Sequence, residues 1–178
     1  LGVTISVVIM IAEVWPADAA GLLRPTGPSP ITAAEFVLFL TAAFAMQAIP
    51  EELFFRGIML RVLRTRPYLA VWVSALLFGL AHFVSSGGQE NLVERMLYVG
   101  QATGFGLLAA ALVLYTRSLW SAVGIHGGLH TGIHLNAWTG HGDGPVAWGI
   151  GTVLFTATAL VVLGLAKRRG REQIVIDR

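Results

Sequence analysis

Six long apolar runs restrict what this chain can fold into: Leu1–Val14, Phe36–Ile49, Tyr68–Phe83, Met96–Thr116, Leu119–Trp138 and Val146–Ala166. Short polar or Gly/Pro-rich pieces separate them. Most approach the ~17–25 residues with which a helix spans a bilayer, and the second does so if it continues through "EELFFRGIML". The pattern predicts an all-α, polytopic membrane helix bundle with about five full transmembrane helices plus an N-terminal helix piece. Residues 1–178 are expected to form a single integral-membrane domain, with neither a 20–50 residue repeat nor a low-complexity segment. Charged residues make up 12% of the chain, against the ~25% usual in soluble proteins. The chain opens without Met inside an apolar run, and that run lacks the basic n-region of a signal peptide. With no cysteine, disulfides, thiolate metal sites and a cysteine nucleophile are excluded.

The basic residues give an orientation. Arg61, Arg64 and Arg66 follow the second run, Arg117 the fourth, and Lys167, Arg168, Arg169 and Arg171 the last. A chain that crosses at each run puts all of them on one side. The other side receives Arg24 and Arg95 with acidic Glu13, Asp18, Glu90, Glu94 and Asp143. Positive charge stays in the cytoplasm, so the C-terminus and the basic tail at 167–178 are expected there. The tail reads as an orientation signal, not a nucleic-acid site. On the outer side, Thr32 and Glu35 in "TAAE" have the spacing of a capping box that starts the second helix near Ile31–Ala33.

Within that helix lies "IPEELFFRG", Ile49 to Gly57. An ionisable group at bilayer depth is costly and normally faces the bundle interior with a partner. Glu52 and Arg56, four apart, share a helix face and can pair. Glu51 points about 100° away and has no local cation. Pro50 withholds an N–H from the carbonyl of Met46, so the helix is expected to kink or restart there. Broken backbone at this depth must be buried in protein or line a wet cavity, which predicts a polar cavity faced by Glu51.

Histidines supply the remaining polarity. His82 ends "FGLAH" in the third span, and His126, His130 and His134 follow at steps of four in the fifth. Gly124, Gly128 and Gly132 repeat with the same step on the opposite face, where a glycine stripe lets another helix approach closely. Gly100 and Gly104 form a similar pair in the fourth span. His126 and His130 have the spacing of a helical metal chelate but lack the glutamate of HExxH; Glu51 is the candidate to supply it. His134 lies ~12 Å along the helix from His126, outside one coordination shell. His141 follows Gly140 in a loop and is expected to be solvent-exposed. Glu51 and His126 lie at similar depths, ~15 and ~13 Å from the nearest basic loops, while His82 is ~24 Å from its own.

These residues resemble a known set. "EELFFR" resembles an EExxxR motif, "FGLAH" an FxxxH motif, and "SLWSAVGIHGGLH" the third motif of the CPBP family, the CAAX protease and bacteriocin-processing group of intramembrane proteases. That family includes the type II CAAX prenyl endopeptidases. All three motifs occur in order between Glu51 and about His130, within an expected motif-bearing core at about 34–137. The resemblance implies that Glu51 activates water, that His82 assists it, and that His126 is the third-motif histidine. Where the family usually has an asparagine that stabilises the oxyanion, this chain has His130. Glu52, Arg56 and Phe78 are implied as supporting residues. Two mechanisms stay open: zinc, with Glu51, His82, His126 and His130 as the donors available to it, or metal-free activation of water by Glu51 and His82 with His126 and His130 at the oxyanion. The extra imidazole at position 130 slightly favours the metal.

The expected function is therefore an intramembrane endopeptidase acting near the cytoplasmic leaflet on a peptide or protein substrate, prenylated or not. Its expected location is the cytoplasmic membrane of a prokaryote. The alternatives are a non-catalytic membrane peptide-binding or immunity protein on the same fold, and a haem or proton-carrying protein built on the paired histidines.

Overall fold

The structure, a computed structural model, describes residues 1–23, 27–85 and 87–171. Arg24 and the tail beyond Arg171 lie outside the described residues. Among these the chain forms six helical rods and no strand. They are α1 (Gly2–Ala19), α2 (Ala33–Val62), α3 (Pro67–Ala81), α4 (Leu92–Thr116), α5 (Leu119–Trp138) and α6 (Pro145–Arg168). All except α5 are long and apolar enough to cross a membrane, α3 together with the turn that extends it to Val84. The N-terminal run forms an 18-residue helix. The three histidines of α5 lower its hydropathy, but its 20 residues still pack inside the bundle. The chain is an integral membrane protein.

Local signals account for the helix ends. Thr32 Oγ1 accepts from Glu35 N–H at 3.3 Å while Glu35 Oε2 accepts from Thr32 N–H at 2.8 Å, so the capping box starts α2. Asn91 caps α4 in the same way, accepting from Glu94 N–H at 3.0 Å. At Pro50, where a kink or restart is expected, the rod is continuous but its regular α-helical bonding is interrupted, with a short α segment, Ile49–Glu52, that carries Pro50 in its first turn. The turns on either side, Ala42–Ala48 and Leu53–Ile58, widen to π-helical hydrogen bonding. Ile49 N–H reaches back to the Phe44 carbonyl and Met59 N–H to that of Phe54, each five residues away. Widening absorbs the N–H that proline lacks without a chain break.

The core centres on α4, whose residues from Gly104 to Leu114 are buried all round; a helix apolar on every face belongs inside a bundle. Its closest partners are α6 and α3, and α1 packs mainly on α5. Glycines set both approaches. A Cβ on Gly104 would come 2.9 Å from Thr156 Oγ1 and 3.0 Å from the Thr152 carbonyl of α6. A Cβ on Gly128 would come 2.7 Å from Val3 Cα of α1. Pressed against α1 on its glycine side, α5 is left with its histidine face toward α2 and α4. At the end where α4 and α6 finish, the Arg169 guanidinium lies 4.4 Å from the centre of the Tyr115 ring.

Candidate active site

Glu51 and Glu52 are consecutive on α2, so their side chains diverge by about 100° and meet different surroundings. Glu52 is fully buried. Its Oε1 accepts from Arg56 Nη1 at 2.9 Å and from His126 Nδ1 at 2.8 Å. Arg56, also fully buried, donates through Nη2 to the Gly106 carbonyl at 3.0 Å. Its guanidinium lies 4.4 Å from the centre of the Phe78 ring, so Phe78 supports the cation from below. One ion pair thereby ties α2 to α4 and α5.

Glu51 is turned elsewhere. Its side chain is 31% exposed, and its Oε2 lies 4.0 Å from His126 Nε2 without a hydrogen-bond partner. It lines a cavity with Gln47, Phe55, His82 and Tyr98. His82 sits where α3 gives way to a 3₁₀ turn, His82–Val84. Its Nδ1–H donates to the Phe78 carbonyl at 2.8 Å, which leaves Nε2 unengaged. The turn carries His82 off the regular helix and into the company of Glu51, despite the depth difference expected from residue counts.

A second cavity adjoins the first, sharing Gln47, His82 and Tyr98, and takes in Gln101, His126 and His130. His126 is held in one tautomer by Glu52, since a carboxylate accepts and Nδ1 must donate. His130 stacks on it with ring centroids 5.3 Å apart and an interplanar angle of 20°. The Nε2 of His130 is buried without a hydrogen-bond partner. His134 lies apart, stacked on Phe39 at 4.3 Å. His141 is not the exposed loop residue expected: it is half-buried, its ring stacks on Trp15 at 4.8 Å, and its Nε2 lies 3.8 Å from Asp18 Oδ2. The flat indole is what shields it.

Among the described residues no three His, Asp or Glu side chains come together in a way that could hold a metal ion. His82 and His126 each have Nδ1 engaged by the protein, so each offers one nitrogen, and these do not converge with Glu51 and His130 into a donor set. The residues as placed do not fit a zinc ion.

Sequence reasoning missed Gln47, Tyr98, Gln101 and Glu13. Gln47 stands four residues before Glu51 and so shares its helix face, a signal that was available. Tyr98 and Gln101 share a face of α4 in the same way. Glu13, counted above among the acidic residues of the outer side, is buried within α1, which continues past Val14 to Ala19.

No curated protein and no solved structure matches this chain. A family model described as type II CAAX prenyl endopeptidase Rce1-like matches residues 33–132. The match begins at the first turn of α2, ends two residues beyond His130, and covers more than half of the chain, including Glu51, Glu52, Arg56, Phe78, His82, His126 and His130. The chain belongs to the type II CAAX prenyl endopeptidase Rce1-like family.

Proposed function

We propose that this protein is an intramembrane endopeptidase in which Glu51 is the general base that activates water, acting near the cytoplasmic leaflet with the C-terminus in the cytoplasm. Family membership implies a protease. The observation that carries the finer reading is the difference between two adjacent carboxylates. Glu52 is fully buried and engaged by Arg56 and His126, whereas the Glu51 side chain is 31% exposed, beside a cavity it shares with His82.

In this reading Glu51 takes a proton from water as the water oxygen bonds to the scissile carbonyl carbon. His82, with its hydrogen fixed on Nδ1, offers Nε2 as an acceptor to the same water. The carbonyl oxygen becomes an oxyanion beside His130, whose Nε2–H donates to it, while His126 keeps its one hydrogen on Nδ1 for Glu52 and supports His130 by stacking. Glu51 then passes its proton to the amine nitrogen as the C–N bond breaks, and the carboxylate is restored. Phe78 and Arg56 act only by holding Glu52, and Glu52 by holding His126. The substrate is a peptide or protein that reaches the cavity from the bilayer, and the family's description points to one bearing a prenylated cysteine near its C-terminus.

The test compares new protein N- and C-termini in cells expressing the native chain or Glu51→Gln at matched membrane levels. Termini that appear only with the native chain are expected, and they name the substrate. Coinciding profiles would sink catalysis through Glu51 and leave the peptide-binding reading. Purified protein is also expected to keep its activity after exhaustive chelation; activity lost to chelator and restored by zinc would overturn the metal-free route.

A further inference from the structure

Three helices that contribute no group to the proposed hydrolysis meet at a buried polar pair. Glu13 of α1 is fully buried, and its Oε1 accepts a hydrogen bond from Gln101 Nε2 of α4 at 2.8 Å. Its Oε2 has no hydrogen-bond partner. α6 passes at Gly151, where a Cβ would overlap the Glu13 carboxylate and lie 2.6 Å from Gln101 Nε2. The space for this pair is built into the packing of all three helices. An ionisable group inside a membrane bundle calls for a functional account, and neither the EELFFR, FGLAH nor third-motif residues use this one.

The consequence falls on Gln101. A side-chain amide has a donor end and an acceptor end. With Nε2 turned to Glu13, the carbonyl Oε1 is the end left for the cavity, which Gln101 lines together with His82, Tyr98, His126 and His130. A peptide bound for hydrolysis has left helical geometry, so its backbone N–H groups need acceptors that the membrane interior does not supply. Glu51 and the imidazoles are occupied by the reaction itself.

We propose that Gln101, oriented by Glu13, is a substrate-positioning residue whose Oε1 accepts a hydrogen bond from a backbone N–H next to the scissile bond. The inference rests on the proteolytic reading and adds to it a contact that fixes how the substrate backbone lies across the site.

The test uses the full-length protein in detergent and a quenched fluorescent peptide carrying farnesyl-cysteine followed by three residues. Two analogues replace the amide on one or the other side of the scissile bond with an ester, which lacks the N–H. For the native protein, KM for one ester analogue is expected to exceed that of the amide roughly three- to tenfold, the worth of one hydrogen bond. Gln101→Met should raise KM for the amide peptide by a similar factor, with a smaller change in kcat, and should abolish the amide–ester difference. Glu13→Met combined with Gln101→Met removes both partners and leaves no buried group unpaired, so it should melt near the native temperature with the same kinetic signature. Glu13→Gln should raise KM less, because an amide partner accepts Gln101 in either orientation. The proposal is overturned if the native protein shows no ester effect at either position, or if the effect persists without Gln101. A native protein that cleaves no peptide overturns the proteolytic reading itself, and this inference with it.

Discussion

Removing one member of a buried ion pair strands the other charge out of water, typically at about 3–5 kcal/mol. Glu52→Gln does this to Arg56, both groups being fully buried. Its melting temperature in detergent should fall steeply. Glu51→Gln should melt within about 0.5 kcal/mol of the native protein, as substitutions away from packed networks do, while turnover is lost. Equal melting of the two variants would refute the division of roles between these carboxylates. A second residue-scale prediction concerns His130, whose Nε2 is buried without a partner. His130→Asn still presents an N–H and should retain turnover. His130→Ala should lose roughly 10²–10³ in kcat, the usual loss for one oxyanion donor. Peptide-cleavage kinetics for the pair check this, and equal rates would remove His130 from the site.

At the scale of elements, the contact between α1 and α5 determines where the histidine face points. The glycine stripe is not uniform along it. A Cβ on Gly128 would lie 2.7 Å from Val3 Cα and 2.8 Å from the Val3 carbonyl oxygen, backbone atoms that cannot turn aside. Gly128→Ala should therefore destabilise the protein by about 1–3 kcal/mol, the range for overpacking, and loosen the site it supports. A Cβ on Gly124 finds its nearest neighbour at 3.6 Å, ordinary contact. Gly124→Ala should be neutral or slightly stabilising, since alanine favours a helix by about 1 kcal/mol over glycine. Thermal melts of the two variants decide it: a Gly128→Ala protein that melts as high as Gly124→Ala would mean that α1 does not pack as closely as described.

For the whole molecule, the proposed orientation places the loops rich in basic residues on the cytoplasmic side. A chain without cysteine permits a direct check. Leu22→Cys, in the connector after α1 where the native side chain is 59% exposed, should react with a membrane-impermeant thiol reagent on intact cells. Arg169→Cys, just past α6, should react only after permeabilisation. The reverse pattern would invert the orientation and move the proposed chemistry to the other leaflet.

Short-range spacing carried a good deal of this. The apolar runs, the Thr32–Glu35 box, the Glu52–Arg56 pair and the step of four from His126 to His130 each depend on residues within one helical turn or one helix, and all are legible as written. Periodicity assigns a residue to a face, but it does not say which helix that face meets. Tertiary packing alone decided that Glu52 is shared between Arg56 and His126, and that the turn at His82 reaches the cavity of Glu51. The same holds for the ring of His141, covered by Trp15, and for Glu13 and Gln101, which meet 88 residues apart in the chain. Even Pro50, plain in the sequence, did not reveal the two widened turns that flank it.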